Sequence, residues 1–296
     1  MSSLVVEVRH PVNISLLMGR PAVFERSAYR QKSWHVDCVT ACLLMDGNML
    51  RIAAMADLHY GSTSQGRYAR EFSEISEKSD VLLLCGDLVN YGLAVEAEML
   101  VKSLAAVVRR LPVLAVLGNH EFESGNAAEV KKILAEGGVT VLDGECCDVR
   151  GVGFAGVKGF AGGFGKHRLE PWGEEAIKAF VREAAAEAAK LETALARLSS
   201  SQRVVLLHYS PISSTVVGEP SEIFPFMGSS RLEEPLNRHP VAAVFHGHAH
   251  HGSIEGRTQN GTPVYNVAVE ALERVFPNRP PYRALELPAS IKPSGS

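Results

Sequence analysis

The chain has 296 residues, with 30 Lys and Arg against 33 Asp and Glu, so its formal net charge is -3. This mild acidity excludes the basic surface that nucleic-acid binding requires. Apolar residues make up 46% of the chain, enough for a hydrophobic core, but no run reaches the roughly eighteen consecutive apolar residues of a membrane span. The composition predicts a globular protein with neither a nucleic-acid nor a membrane partner.

The amino-terminal part of the chain gives few structural indications. Residues 1–36 are predicted to be an extension of unknown role: an added strand, a flexible arm, or sequence upstream of a misplaced start codon. Asp46-Gly47 tolerates the backbone angles of a tight turn, so residues 39–44 and 49–55 are predicted to pair as a hairpin. No repeat or low-complexity linker follows, and residues 37–296 are predicted to form a single domain.

The cysteines and the first residues indicate a compartment. Residues 1–20 lack the basic start, long apolar run and cleavage site of a secretory signal. The cysteines show no paired C-x-x-C spacing, which disfavours a disulfide framework or a zinc ribbon. We therefore expect reduced thiols and a cytoplasmic protein. The five cysteines are Cys38, Cys42, Cys85, Cys146 and Cys147.

From Arg51 onward, short apolar runs alternate with longer amphipathic stretches, which is typical of an α/β protein. Residues 81–84 and 204–207 are uninterrupted apolar runs, as expected of strands covered on both faces. Strands are predicted at Arg51–Ala56, Asp80–Cys85, Val113–Leu117, Val139–Leu142, Val152–Val157, Arg203–Leu207, Val241–Phe245 and Pro263–Val267. Helices are predicted at Tyr68–Lys78, Leu93–Arg110, Ala127–Glu136 and Glu174–Leu198.

The last of these helices carries an apolar stripe at helical spacing. The stripe predicts a helix that packs on the domain, with an oligomer interface as the alternative. Its residues are Ile177, Val181, Ala184, Ala188, Leu191, Leu195 and Leu198.

Five short segments share one property: each follows an apolar strand and ends in side chains that can bind metals. Taken singly, each has an ordinary explanation, such as a turn, a helix cap or a satisfied buried imidazole. Together they predict one site, because the carboxyl ends of strands meet at one edge of an α/β sheet and buried polar groups are costly without a ligand. The segments are Ala56-Asp57-Leu58-His59, Gly86-Asp87, Gly118-Asn119-His120-Glu121, Leu207-His208 and His246-Gly247-His248-Ala249-His250.

The types of donor restrict the metals. Carboxylates, imidazoles and one amide, without a thiolate, suit Mn, Fe, Zn or Mg rather than copper(I) or an iron–sulfur cluster. A single catalytic ion needs only three or four protein ligands and an open position. The number of candidates therefore predicts two divalent ions that share one carboxylate. The candidate ligands are Asp57, His59, Asp87, Asn119, His208, His248 and His250.

In this order, the five motifs resemble those of the calcineurin-like metallophosphoesterases: D-x-H, G-D, G-N-H-[DE], a lone H, and G-H-x-H. The resemblance extends from Arg51 to Val269. It implies an α/β fold in which a two-sheet β sandwich is flanked by helices, in four αββα layers. It also implies that Asp87 bridges the ions. Asp57, His59 and His250 would complete one shell, and Asn119, His208 and His248 the other.

The resemblance gives His120 a different role: it faces the substrate beside Asn119, as a proton donor or charge stabiliser, and does not bind metal. The chemistry agrees, because two ions about 3.5–4 Å apart can hold a bridging hydroxide that attacks phosphorus. Counting ions, carboxylates and hydroxide, the site carries about one positive charge and attracts an anionic phosphate. Glu121 replaces the commoner aspartate and is predicted to support His120 through a hydrogen bond.

A glycine-rich stretch follows the third motif. Gly151 to Gly156 fits the dinucleotide pattern G-x-G-x-x-G, but the glycines continue in a way that no helix would tolerate, so a strand and a loop near the pocket are predicted. His246 is predicted to be a strand residue. Candidates for the substrate entrance are Phe160, Phe164 and His167 and, on a second loop that core packing also explains, Phe224, Phe226 and Met227.

These observations predict a metal-dependent hydrolase of phosphate esters, namely a small-molecule phosphodiesterase or phosphatase. A protein serine/threonine phosphatase is an alternative. So is a non-catalytic binding scaffold on the same fold, although a scaffold should show gaps in the ligand set. A nuclease is disfavoured because no basic stripe is present. The sequence does not define the native metals, the oligomeric state or the preference between monoesters and diesters.

Overall fold

The structure, a computed structural model, describes residues 49–289. The predicted extension at residues 1–36, the first arm of the predicted hairpin, Cys38 and Cys42 lie outside the described residues. None of the helices within the described range combines the length and the apolar character needed to cross a bilayer.

Eleven strands in the described range form two sheets. The first sheet has the order β11-β1-β2-β3-β4, and the second has the order β5-β6-β7-β8-β10-β9. The inner neighbours pair in parallel, whereas β11, β5 and β9 pair antiparallel at the edges. The strands are β1 Met49–Met55, β2 Val81–Cys85, β3 Val113–Val116, β4 Val139–Val141, β5 Cys146–Val149, β6 Val152–Gly156, β7 Gln202–Leu206, β8 Ala243–His246, β9 Glu255–Arg257, β10 Pro263–Asn266 and β11 Arg283–Pro288.

The sheets pack face to face, and both outer faces are covered by helices. Alternate residues of β2 separate two cores: Leu83 and Cys85 join Phe154 and Phe245 between the sheets, whereas Leu84 faces the helices. This arrangement explains the uninterrupted apolar run and confirms the predicted αββα sandwich. The helices are α1 Ala69–Lys78, α2 Ala94–Leu104, α3 Ala127–Glu136, α4 Glu175–Arg197, α5 Phe224–Met227, α6 Glu233–Arg238 and α7 Val269–Val275.

Helix α4 covers the outer face of the second sheet. Leu191 and Leu195 lie in the core that also contains Val205 and Val244. The predicted stripe thus packs on its own chain at these positions. Ile177, in the first turns of the helix, is 37% exposed.

Two differences from the predicted elements have physical explanations. Helix α2 ends at Leu104 rather than Arg110, and the chain continues in turns with bonds such as Val107 N–H to the Leu104 carbonyl at 2.8 Å. The three antiparallel edge strands were absent from the prediction because one of their faces is exposed and their sequences mix charged with apolar residues, as in Arg283–Pro288.

Candidate metal centre

The predicted ligands lie beyond the carboxyl ends of five strands. In the first sheet, Asp57 follows β1, Asp87 follows β2 and Asn119 follows β3. In the second sheet, His208 follows β7, and His248 follows β8. Because the two sheets face each other, these ends meet at one edge of the sandwich. The structure therefore brings together side chains that are far apart in the sequence.

The side chains gather into two groups. The ligand atoms of Asp57, His59 and His250 lie within 4.8 Å of one another, and so do those of Asp87, His208 and His248. Asp87 also belongs to a third such group, with His59 and His120. Asp87 thus lies between the two groups, where a shared ligand must lie.

Asn119 joins the second group. Its Oδ1 lies 2.9 Å from His208 Nε2, and Asp87 Oδ1 lies 3.4 Å from the same nitrogen. The seven predicted ligands are therefore divided between two groups, in the combination that the resemblance implied.

The backbone at these positions is strained. Five non-glycine residues within the described range have positive φ, and four of them are predicted ligands: Asp57 at 58°, His59 at 43°, Asp87 at 48° and His248 at 70°. Each such residue costs roughly 1–3 kcal/mol and persists only where its surroundings fix it. Here Asp57 N–H donates to the Gly86 carbonyl and His59 N–H to the Asp87 carbonyl, both at 3.0 Å. The β1 and β2 turns therefore hold each other.

Two motif glycines are required by close approach. A Cβ atom at Gly118 would collide with the carboxylate of Asp87, and one at Gly247 would collide with the carboxylate of Asp57. The glycines thus let one motif's backbone lie against another motif's ligand. This contact explains why glycine precedes Asn119 and His248.

The donor atoms fit metal ions. His208 Nδ1 lies 3.1 Å from the Cys85 carbonyl, so in the neutral ring Nδ1–H donates to it and the Nε2 lone pair faces the oxygens of Asn119 and Asp87. Three electron-pair donors then face one another without a hydrogen between them, as ligands of a cation do. The Nε2 of His59 is buried and has no hydrogen-bond partner in the described range. Both observations support a metal centre.

The pKa values of the first group agree with this interpretation. Burial tends to raise the pKa of Asp57, but the hydrogen bond from His250 and the nearby imidazoles outweigh it and lower the pKa to about 2. The same hydrogen bond raises the pKa of His250 to about 9. The proton between Asp57 and His250 therefore occupies the place of a cation, and metal binding would release it.

Glu121 does not support His120, so that prediction was wrong. Its carboxylate is completely buried and accepts the amides of Leu88 at 2.7 Å, Val89 at 2.9 Å and Gly118. Three convergent N–H groups hold the carboxylate away from the imidazole, and it ties the Asp87 loop to the Asn119 loop. Burial, followed by the charge of Asp87, raises the pKa of Glu121 to about 7.

His120 is held by the backbone instead. Its Nδ1 donates to the Asn90 carbonyl. Its Nε2 lies 3.8 Å from Asp87 Oδ2, and its ring meets the edge of His59 at 4.4 Å between centroids. His120 therefore borders the cluster and presents Nε2 to it. This position suits a group that faces the substrate.

Most other candidates lie elsewhere. His246 ends β8, is completely buried and bonds with the Gly247 carbonyl and Thr215 Oγ1, which confirms it as a strand residue. Gly151 to Gly156 turns into β6 and opens no helix, as predicted. Phe160 packs on Phe180 and Tyr209.

The second loop contributes through its backbone. Phe226 is 58% exposed, and its carbonyl accepts His248 Nε2–H at 3.3 Å. That bond leaves Nδ1 of His248 for a metal. Phe164 and Phe224 pack beside a small buried cluster that contains Met227, so core packing describes these residues. His167 lines a separate cavity.

The sequence analysis missed residues that support the site from helix α7. Glu270 Oε2 lies 3.2 Å from His250 Nδ1, and Arg274 donates to the carbonyls of His250 at 3.0 Å and Gly252 at 2.9 Å. Glu270 also lines, with His59, His120 and His250, a cavity of about 440 Å³ that Thr63, Ser64, Arg67 and Asn90 complete. No local pattern links α7 to the last motif, because their contacts exist only in the fold.

Comparison with known proteins defines the class. A family model of calcineurin-like phosphoesterases matches residues 50–252. The chain therefore belongs to this family of binuclear metal-dependent enzymes, and it is a metal-dependent phosphoesterase. No curated protein matches the chain.

Several solved structures share the fold. Phosphopantetheinyl hydrolase (PptH) from Mycobacterium tuberculosis is 16% identical, with a TM-score of 0.55 over 79% of this chain and 95% of its own. The protein TT1561 of Thermus thermophilus is 13% identical, with a TM-score of 0.49 over 82% of this chain and 100% of its own. The NAD nucleotidase NadN of Haemophilus influenzae is 14% identical, with a TM-score of 0.42 over 75% of this chain and 45% of its own. At these identities the similarity concerns the fold alone.

Removing the carboxylate behind His250 should weaken metal binding. With Nδ1–H donated to Glu270, the ring of His250 is oriented and its Nε2 is left for the metal. We expect Glu270→Ala to raise the dissociation constant for Mn²⁺ at one of two sites by about tenfold or more. Titration calorimetry on the metal-free protein measures it.

The matched control is Glu273→Ala, one turn further along α7. Glu273 pairs with Arg67 at 3.2 Å and should leave both dissociation constants within about twofold of the original. Equal behaviour of the two variants would mean that Glu270 does not orient His250.

Proposed function

We propose that this phosphoesterase hydrolyses small-molecule phosphate esters, diesters or monoesters, with two divalent ions as cofactors. The observation that carries the proposal is the division of seven donors into two groups with Asp87 between them. We assign Asp57, His59 and His250 to one ion, and Asn119, His208 and His248 to the other. The absence of a thiolate among these donors favours Mn, Fe, Zn or Mg.

The chain's own residues would perform the remaining steps. When bound, two divalent ions supply positive charge to the phosphoryl oxygens and lower the pKa of water, the nucleophile. His120 is placed beside the cluster by the Asn90 carbonyl, and we assign its Nε2–H to the leaving oxygen. Asn119 and His120 together would contact the phosphate ester. Asp57 and Asp87, both buried, would hold the ions in place.

The size of the adjoining cavity favours a small molecule. Its volume of about 440 Å³ lies within the range of small-molecule sites. A protein phosphatase needs a surface that accommodates a peptide, and we therefore rank it second. The complete donor set argues against a scaffold without turnover.

Two further parts of the proposal concern the protein as a whole. Cys85, Cys146 and Cys147 are free thiols, which is consistent with a cytoplasmic location. We also propose that residues 37–296 form a single domain.

A two-substrate assay tests the reaction. Purified protein loaded with Mn²⁺ should hydrolyse bis-p-nitrophenyl phosphate, p-nitrophenyl phosphate, or both, and a chelator should abolish the activity because the donors alone cannot activate water. The ratio of kcat/KM for the two substrates separates a diesterase from a monoesterase. Hydrolysis of neither substrate under any of the four metals would favour the scaffold.

Substitution of His120 tests its separate role. His120→Ala should retain both metal ions but lower kcat by about a hundredfold or more, because the proton for the leaving oxygen is lost. His167→Ala, in an exposed turn outside the cluster, is the matched control and should remain active. Unchanged turnover in His120→Ala, with metal content measured in parallel, would remove His120 from the mechanism.

A further inference from the structure

We propose that Lys158 is a subsite for a second phosphate group, so that the preferred substrates are diphosphate esters rather than esters with one phosphate. This inference rests on the proposed function and specifies its substrate class. No motif included Lys158, and its part in the site follows only from the fold.

Lys158 lies directly beside a metal-ligand segment. It follows β6, and its carbonyl accepts the amides of His208 at 3.0 Å and Tyr209 at 3.1 Å. The next amide, of Gly159, donates to the buried carboxylate of Glu187 at 2.8 Å, and Lys190 binds that carboxylate at 2.6 Å. The turn is thus fixed from two sides. The backbone position of Lys158 relative to His208 is therefore well defined.

The ammonium of Lys158 is surrounded by aromatic rings rather than by acids. Its Nζ lies 4.8 Å from the ring centroid of Phe160, 5.4 Å from that of Tyr209 and 5.5 Å from that of Phe122. Its hydrogen bond is to the Gly159 carbonyl at 2.9 Å. Within residues 49–289 it has no ion-pair partner, so most of its donor capacity is unused. Ring faces offset only part of the cost of burying a charge.

The rings connect this ammonium to the centre. Phe122 lies two residues after His120, in the same short 3₁₀ turn. The Tyr209 ring packs on the His248 ring at 4.6 Å and on the His208 ring at 5.3 Å. Lys158 is therefore separated from the Asn119, His208 and His248 group by a single ring, on the side where Phe122 continues from His120.

A small cavity on another side of Lys158 does not suit an anion. Its volume is about 140 Å³, and its charged lining residues other than Lys158 are Asp143, Glu183, Glu187 and Lys190. Three carboxylates against one further lysine repel an anion there. An anion would approach Lys158 from the side of the metal centre instead.

A diphosphate matches these features. A leaving group that is neutral or apolar gains little from a fixed ammonium, whereas a second phosphate forms a charge-assisted hydrogen bond with it. In the proposed hydrolysis, water supplies the oxygen that bonds to the scissile phosphorus, and the bond from that phosphorus to the bridging oxygen breaks. The bridging oxygen leaves as part of the second phosphate, and the protons of water are divided between the products and the solvent.

Inhibition measurements test the subsite without depending on a particular substrate. Methylenediphosphonate and inorganic phosphate are compared as competitive inhibitors of p-nitrophenyl ester hydrolysis by the Mn²⁺-loaded protein. We expect the diphosphonate to inhibit at least about tenfold more tightly than phosphate, since it reaches Lys158 as well as the metals. Lys158→Met should remove this difference while KM for the ester and the Ki of phosphate stay within about twofold.

Two variants separate charge from packing. Lys158→Arg keeps the charge and should preserve most of the difference between the inhibitors. Lys166→Met, an exposed lysine on the same glycine-rich loop, changes the net charge equally and should preserve all of it.

The outcomes are distinct. A difference that survives in Lys158→Met, or an equal weakening of both inhibitors, would overturn the subsite and leave the proposed function intact. Absence of ester hydrolysis by the unmodified protein would overturn the proposed function itself, and the subsite with it.

Discussion

Two buried carboxylates, Asp57 and Asp87, impose the main electrostatic constraint on this structure. They are 2% and 1% exposed, and within the described part of the chain neither pairs with a lysine or an arginine. Their partners are imidazoles and backbone amides, such as His250 Nε2 at 3.2 Å and the amide of His120 at 2.9 Å. Buried charges without compensation cost several kcal/mol each. Divalent cations at this position provide that compensation, so the fold and its cofactors depend on each other.

The sandwich positions these groups through strained turns. Asp57, Asp87 and His248 all have positive φ just beyond strand ends, where the neighbouring strand supplies hydrogen bonds that fix them. Gly118 and Gly247 allow the backbone of one motif to approach the carboxylate of another. The strain lies in the ligand-bearing turns rather than in the strands. The rigid core between the sheets keeps those strand ends at a fixed separation.

Much of the site could be predicted from the sequence because its ligands lie in short segments directly after apolar strands. For Asp57 or His208, a local pattern identifies both the strand and the side chain at its end. The αββα layers followed from the resemblance and from continuous apolar runs. The edge strand β11 was not predictable in the same way, because it has no continuous apolar run and is defined by its pairing with β1.

The supporting residues could not be predicted, because their roles depend on contacts between distant parts of the chain. Glu270 orients His250 from helix α7, and Lys158 reaches the centre through the ring of Tyr209. Glu121 shows the opposite error: adjacency to His120 suggested a contact, whereas three backbone amides hold its carboxylate elsewhere. Sequence proximity predicts a shared turn but not the direction of a side chain.

The most direct test of the central claim is anomalous scattering from crystals grown with excess Mn²⁺, recorded at the manganese absorption edge. Two peaks about 3.5–4 Å apart are expected, with Asp87 between them, Asp57, His59 and His250 around one, and Asn119, His208 and His248 around the other. A single peak at this edge of the sandwich, or peaks that Asp87 does not contact, would contradict the account.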